Sequence, residues 1–417
     1  MPQAARPRVP RLRVPRPQAQ RVRVEAAMVS VALFGANALS YLLNMVAARA
    51  LAPDVYGALG SLLALVVVGA VPAMGMQTVA ALHVAGTPAS TMAAERQLLR
   101  TGLGGAAVVG MLAIAAAPPL VMLLHLPSGW PVVWLGVALA PLTLLGVFHG
   151  ILQGHRRFGV LALLVAVEGV AKVGGALAGL LLFRGPAATL AGMALGSALA
   201  AAVGWWVCGR RRPQRSPVRL AGRVLHASQA ILGLVLLVNL DIVLARHNLS
   251  GPQAGDYAIG VIITKIAYWL PQAVAVIVLP RFADERRRRR VVPVALAVIA
   301  LLDVWVVLAT VVSGSTIIRF IGGDGYGSHV TAAWLFALLG SLLALVQLLL
   351  YSRIASADRK SATAVWAAVV LEILLVSLWF DGSVTAVASA ALASVALLVL
   401  AGLVIEYVSA RRLVSTY

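Results

Sequence analysis

The chain has 417 residues, 61% of them hydrophobic and only 12% charged, with a mean hydropathy of +0.94. A soluble chain runs near half apolar and a quarter charged, so this composition excludes an ordinary soluble domain and points to a polytopic membrane protein. Lys and Arg outnumber Asp and Glu by 34 to 14, a net charge of +20 that would suggest nucleic acid in a soluble domain, and the lone Cys208 excludes an internal disulfide and a Cys-rich metal site.

An apolar run of about 20 residues can cross a bilayer as a helix. Twelve are predicted, at 27–48, 57–83, 101–124, 131–152, 159–183, 188–208, 228–246, 257–280, 291–318, 330–352, 362–380 and 384–408. Pro118 and Pro119 interrupt the third. Charge placement supports the count, because Lys and Arg collect in the cytoplasmic loops of membrane proteins. Of the 34 basic residues, 28 fall in the two tails and in alternate loops. The opposite side has Arg49, Arg184, Arg246 and Arg319, and Lys172 and Lys265 lie inside spans. Both termini are therefore expected in the cytoplasm, and the dominance of Ala, Gly, Val and Leu and of Arg over Lys, as in a GC-rich bacterial genome, would place the chain in a bacterial inner membrane.

The expected layout is a disordered Arg/Pro-rich tail at 1–26, a six-helix lobe at 27–209 and a basic linker at 210–227. A second six-helix lobe follows at 228–408, then a tail at 409–417. The N-terminal run PRVPRLRVPRPQ lacks a signal-peptide cleavage pattern and reads as a tail that sets orientation and touches anionic lipid, not nucleic acid. No loop is long enough for a soluble catalytic domain. No phosphate-binding loop is present, and the seven histidines show no metal-ligand spacing, so neither an enzyme nor a resident cofactor or metal is expected.

The chain repeats itself. Asn44 to Arg49, with Pro53 and Tyr56-Gly57, is echoed by Asp241 to Arg246, with Pro252 and Tyr257-Ala258. Pro72 is echoed by Pro271, and Arg156-Arg157 with Glu168 by Arg359-Lys360 with Glu372. The offsets stay between 197 and 204 residues. Six spans per half is even, so both halves run the same way through the membrane. Parallel repeats of this kind hold substrate at their interface and alternate its access by rocking, and Pro-interrupted helices at matching places point to the cavity. Pro72 and Pro271 are the kinks so indicated, unless they serve packing alone.

A charge at the bilayer centre costs roughly 2.5–3.5 kcal/mol, so each one needs a partner or a purpose. Glu168 and Lys172 stand i,i+4 on the fifth span and can neutralise each other. Lys265, mid-span and without an acid one turn away, is the foremost candidate for contacting an anionic substrate, with pairing to Asp241 or Asp303 as the alternative. Arg49 and Arg246, equivalent by the repeat, sit at the outer ends of spans one and seven. They could bind a phosphate bidentately or snorkel to the interface. Asp241, Asp303, Glu372 and Glu168 are candidates for coupling to a proton or sodium gradient, with Thr385 and Ser389 as nearby hydroxyls. The rows Gly175-x-x-x-Gly179 and Gly192, Gly196, Ala200, Gly204 are expected to let helices approach closely.

Residues 43–86, LNMVAARALAPDVYGALGSLLALVVVGAVPAMGMQTVAALHVAG, resemble the opening of bacterial polysaccharide (oligosaccharide) flippases of the multidrug/oligosaccharidyl-lipid/polysaccharide exporter superfamily. Residues 149–183, HGILQGHRRFGVLALLVAVEGVAKVGGALAGLLLF, are similar to that family's connection of helices four and five. The stretch from Asp241 to Tyr257 with Leu279-Pro280-Arg281 resembles its helices seven and eight, and Gly323 to Tyr326 the start of helix ten. The resemblance spans nearly the whole chain. It implies two six-helix lobes forming a V around a central cavity, and movement of a lipid-linked oligosaccharide across the cytoplasmic membrane by alternating access. Implied partners are the lipid-linked sugar, membrane lipids, a polysaccharide polymerase and glycosyltransferases. Competing readings are a cation-coupled multidrug exporter of the same superfamily, a membrane-embedded glycosyltransferase or polymerase, and a non-transporting scaffold. Lys172, Lys265, Arg49 and Arg246 favour an anionic cargo over the first of these.

Overall fold

The computed structural model describes residues 16–86, 91–208, 220–269, 285–323, 325–326, 332–354, 360–378 and 382–414. The elements there are helices: α1 (Arg16–Ala50), α2 (Pro53–Gly69), α3 (Val71–Gly86), α4 (Thr91–Ala115), α5 (Ala117–Leu123), α6 (Trp130–Gly154), α7 (Phe158–Phe183), α8 (Pro186–Val207), α9 (Ala221–Asn248), α10 (Gly251–Trp269), α11 (Glu285–Gly322), α12 (Ala333–Ile354), α13 (Lys360–Leu378) and α14 (Val384–Val414). Ten stretches are long and apolar enough to cross a membrane, and Thr363–Leu378 is a shorter apolar helix. They fall on eleven of the twelve predicted spans; of the eighth, predicted at 257–280, only 257–269 lies among the described residues, in α10. The chain is a multi-pass membrane protein.

Proline sets several helix limits. Pro53, Pro131 and Pro186 stand in the first turns of α2, α6 and α8, where a missing N–H costs nothing and the fixed φ suits the helix. Inside a span it does the opposite. The second span breaks at Ala70 ahead of Pro72, and the third at Ala116 ahead of Pro118 and Pro119. Pro271 lies outside the described residues.

Three predicted boundaries shift. Residues 16–26, expected in the irregular tail, are the start of α1; α9 begins at Ala221 inside the expected linker, and α14 continues through the expected tail to Val414. Each change extends an apolar span by polar turns. Elongating an existing helix adds a hydrogen bond per residue without a new nucleation step, so a polar flank of good helix formers continues the span.

The repeat is reproduced in the packing. Spans five and six pair as α7 on α8 and again, in the second half, as α13 on α14. Spans one and five pair as α1 on α7 and as α9 on α13; three and four as α4 on α6 and as α11 on α12; four and six as α6 on α8 and as α12 on α14. The close pairing of spans five and six rests on the predicted small residues: a Cβ on Gly175 would strike the Gly192 carbonyl and one on Gly196 the Ala171 carbonyl, so backbones touch where glycine allows it.

The halves meet chiefly along α2, which packs on both α9 and α10, and along α3 on α9. The counterpart contact between α1 and α10 is slight among the described residues, and includes Tyr41 Oη donating to the Lys265 carbonyl at 3.4 Å. One apolar core runs through both halves and contains Leu59, Leu62, Ile242, Ile259 and Phe336. A second belongs to the later half alone and contains Leu234, Tyr268, Leu343 and Val395.

Candidate functional site

The face carrying the α1–α2, α5–α6 and α9–α10 turns is called distal here, and the opposite face, where α1 begins, proximal. Among the described residues, most ionisable side chains inside the spans fall into two groups, one in each half.

In the first half Glu168 on α7 bridges two bases. Its Oε1 lies 4.0 Å from Lys172 Nζ and its Oε2 3.5 Å from His149 Nε2. The side chains of Lys172 and Glu168 are 24% and 18% exposed, so the expected i,i+4 pair exists and keeps access to its surroundings. His149 on α6 is buried, and its Nε2 makes no hydrogen bond. Sequence reasoning passed over this histidine because it sought metal spacing. The usable signal was a basic side chain within the apolar fourth span, close to an acid on the fifth.

The second half gathers Asp241 on α9, Tyr257 and Lys265 on α10 and Glu372 on α13. Tyr257 Oη donates to Asp241 Oδ2 at 3.1 Å, and both residues are buried. The second carboxylate oxygen of Asp241 and both oxygens of Glu372 make no hydrogen bond. Lys265 and Glu372 each lie within electrostatic reach of Asp241, and Asp303 is not among the groups that act on the lysine. The hydroxyl beside Glu372 belongs to Ser394 of α14; Thr385 and Ser389 instead bond locally near the start of that helix. Two carboxylates, a lysine and two hydroxyls from four helices thus lie in one neighbourhood, and three of its buried carboxylate oxygens lack donors. Such oxygens are costly to leave unpaired, which makes them candidates for binding a small cation or a proton.

Glu168 and Glu372 correspond by the repeat, but their surroundings differ. Asn44 stands where the second half has Asp241, and its amide donates to the Ser40 carbonyl. The first-half acid is therefore neutralised by bases, whereas the second-half acid faces another acid. Asp303 on α11 stands apart, buried beside Ser341 of α12, with neither oxygen hydrogen-bonded. Among the described residues no three His, Cys, Asp or Glu side chains are placed to hold a metal ion.

Arg49 and Arg246 lie away from both groups, at the distal ends of α1 and α9. Arg49 Nη2 donates to the Phe320 carbonyl. Arg246 Nε donates to the Leu124 carbonyl at 2.9 Å and its Nη1 to the Asp54 carbonyl at 3.2 Å.

The architecture matches solved structures over most of its length. An inward-facing multidrug resistance MATE family transporter of the MOP superfamily aligns at a TM-score of 0.75 with 12% identity, covering 90% of this chain and 95% of that one. The lipid II flippase MurJ in an inward closed conformation aligns at 0.72 with 13% identity, covering 90% and 87%. The chain has the fold of MATE and MurJ transporters. An outward-facing MATE transporter of the MOP superfamily aligns at 0.64 with 11% identity, covering 92% and 95%. No family model matches the sequence, and no curated protein does. These neighbours are transporters and a flippase, not enzymes, and the fold shared with them has two lobes.

Proposed function

We propose that this chain is a cation-coupled flippase that moves a lipid-linked oligosaccharide across the bacterial cytoplasmic membrane by alternating access, with both termini in the cytoplasm. The observation that carries this reading is the pair of lysines inside the membrane, Lys172 in one half and Lys265 in the other, neither fully buried. A cationic side chain kept at that depth with access to its surroundings suits an anionic cargo, and a lipid-linked sugar carries its phosphates next to the lipid tail. Asp241 and Glu372, with Tyr257 and Ser394, are the residues we assign to the coupling proton or sodium ion. One charge moved across 100 mV is worth about 2.3 kcal/mol, enough to bias a two-state carrier by well over tenfold. Polymerase and glycosyltransferase partners belong to this reading, as sources and users of the cargo.

A multidrug exporter is the second reading, favoured by the fold likeness to MATE transporters. The experiment is reconstitution of the purified chain in liposomes with a fluorescent lipid-linked oligosaccharide, scored by chemical quenching from one side. Flipping that collapses in the Lys172→Met/Lys265→Met variant supports the first reading. A correctly inserted protein that leaves the sugar lipid in its original leaflet, while conferring drug efflux, replaces it with the second.

A further inference from the structure

The distal arginines take part in an arrangement that cargo recognition does not explain. Arg49 belongs to the first half and its acceptor, the Phe320 carbonyl, to the second; its guanidinium also lies over the Phe320 ring, 5.8 Å from the centroid. Arg246 belongs to the second half and its acceptors, the Leu124 and Asp54 carbonyls, to the first. The arginines are 197 residues apart and the carbonyls of Leu124 and Phe320 are 196 apart. This is one contact made twice, exchanged between the lobes: each arginine closes onto the end of the third span of the opposite half.

The acceptors explain why arginine is used. Leu124 caps α5 and Phe320 lies in the last turn of α11, where helix carbonyls have no intrahelical donor and carry the negative end of the helix dipole. A guanidinium supplies those donors and the matching charge. Around the two contacts the lobes also touch directly. A Cβ on Gly57 would lie 2.8 Å from the Ala254 carbonyl carbon, Tyr56 packs edge-on against Tyr326, and the rings of His125 and His247 stack at 5.5 Å. Beneath them Ser61, fully buried, donates to the Gly57 carbonyl of its own helix at 3.0 Å, with the Ile242 carbonyl of the other half 3.3 Å away.

We propose that Arg49 and Arg246 form a reciprocal latch that holds the distal seam shut, and that both contacts release whenever the lobes open to the distal face. The freed carbonyls and guanidinium groups meet water there, so release exchanges hydrogen bonds and leaves none unmade. That keeps each contact strong enough to bias the closed state and weak enough to break in every cycle. The inference concerns conformation alone and stands whatever the cargo is.

The test uses the full chain with Cys208→Ser and Ser61→Cys, reconstituted in liposomes free of any sugar lipid. A membrane-impermeant maleimide is applied from the distal face. Charge-assisted hydrogen bonds are worth enough that losing one raises the open population about tenfold. Arg49→Ala and Arg246→Ala should therefore each raise the labelling rate about tenfold, and the double variant about a hundredfold. Should the alanine pair not fold, the Arg49→Lys/Arg246→Lys pair keeps the charges and loses the planar fork, and about a threefold rise is expected. Spin labels on exposed Ser128 and Ser250, one in each half, should gain a longer-distance component in the same variants. Folded variants that label at the parent rate with an unchanged distance overturn the latch. Because no cargo is present, arginines that served only to bind phosphate would leave both readings unmoved.

Discussion

Replacing Tyr257 by Phe removes one hydroxyl from the second-half polar group and little else. The ring is fully buried and stacks edge-on against Phe336 at a centroid distance of 5.1 Å, and phenylalanine keeps that packing. What is lost is the donor to Asp241 Oδ2 at 3.1 Å, while the other oxygen already has no donor and is free for a cation. A hydrogen bond to a bare carboxylate is worth about 1.5–3 kcal/mol, and one to a neutral acceptor about 0.5–1.5 kcal/mol. The hydroxyl therefore favours the empty, charged site over the cation-neutralised one by about 1–1.5 kcal/mol, a factor of roughly five to tenfold. Losing it should lower the cation concentration for half-maximal transport by that factor, and slow turnover because the ion leaves less readily. The assay is transport in liposomes against varied sodium concentration or pH, with the far side fixed. If folded Tyr257→Phe protein shows an unchanged or raised half-saturating concentration, Asp241 is not the coupling carboxylate.

Two further outcomes follow from the geometry. Glu168→Leu leaves Lys172 and His149 side by side without their acid and should cost about 2 kcal/mol of stability, below the fully buried value because each side chain keeps some exposure; the Glu168→Leu/Lys172→Leu pair should recover most of it in thermal unfolding in detergent, and a double variant less stable than the single contradicts the pairing. Gly57→Ala places a Cβ 2.8 Å from the Ala254 carbonyl carbon, an overpacking of about 1–3 kcal/mol that falls on the distal-closed state, so distal maleimide labelling of Ser61→Cys should rise by about tenfold or more, and an unchanged rate means that α2 and α10 do not part at this point.

Local chemistry made the twelve spans and their repeat legible, because hydropathy, proline position and charge are properties of a segment and its flanks. A span must be apolar for about 20 residues whatever it packs on, so 131–152 and 159–183 were recognisable as α6 and α7 without any knowledge of their neighbours. The Glu168–Lys172 pair was equally visible, since a single helix fixes i,i+4 contacts. The kink ahead of Pro72 and the glycine contacts of Gly175 and Gly196 belong to the same class, one forced by a missing N–H and the other by a missing side chain.

Contacts between distant segments needed the tertiary structure. That Asp241 takes the Tyr257 hydroxyl and faces Glu372, that Ser394 and not Thr385 lies beside that glutamate, and that His149 completes the Glu168 group depend on how helices are rotated about their axes. Several rotations satisfy the same apolar pattern. The arginines show the division most clearly. The repeat marked Arg49 and Arg246 as equivalents and a phosphate seemed a natural partner for each, yet their nearest acceptors are helix-end carbonyls of the opposite half. An exchange between lobes is set by the docking of two six-helix units, and no segment of sequence contains it.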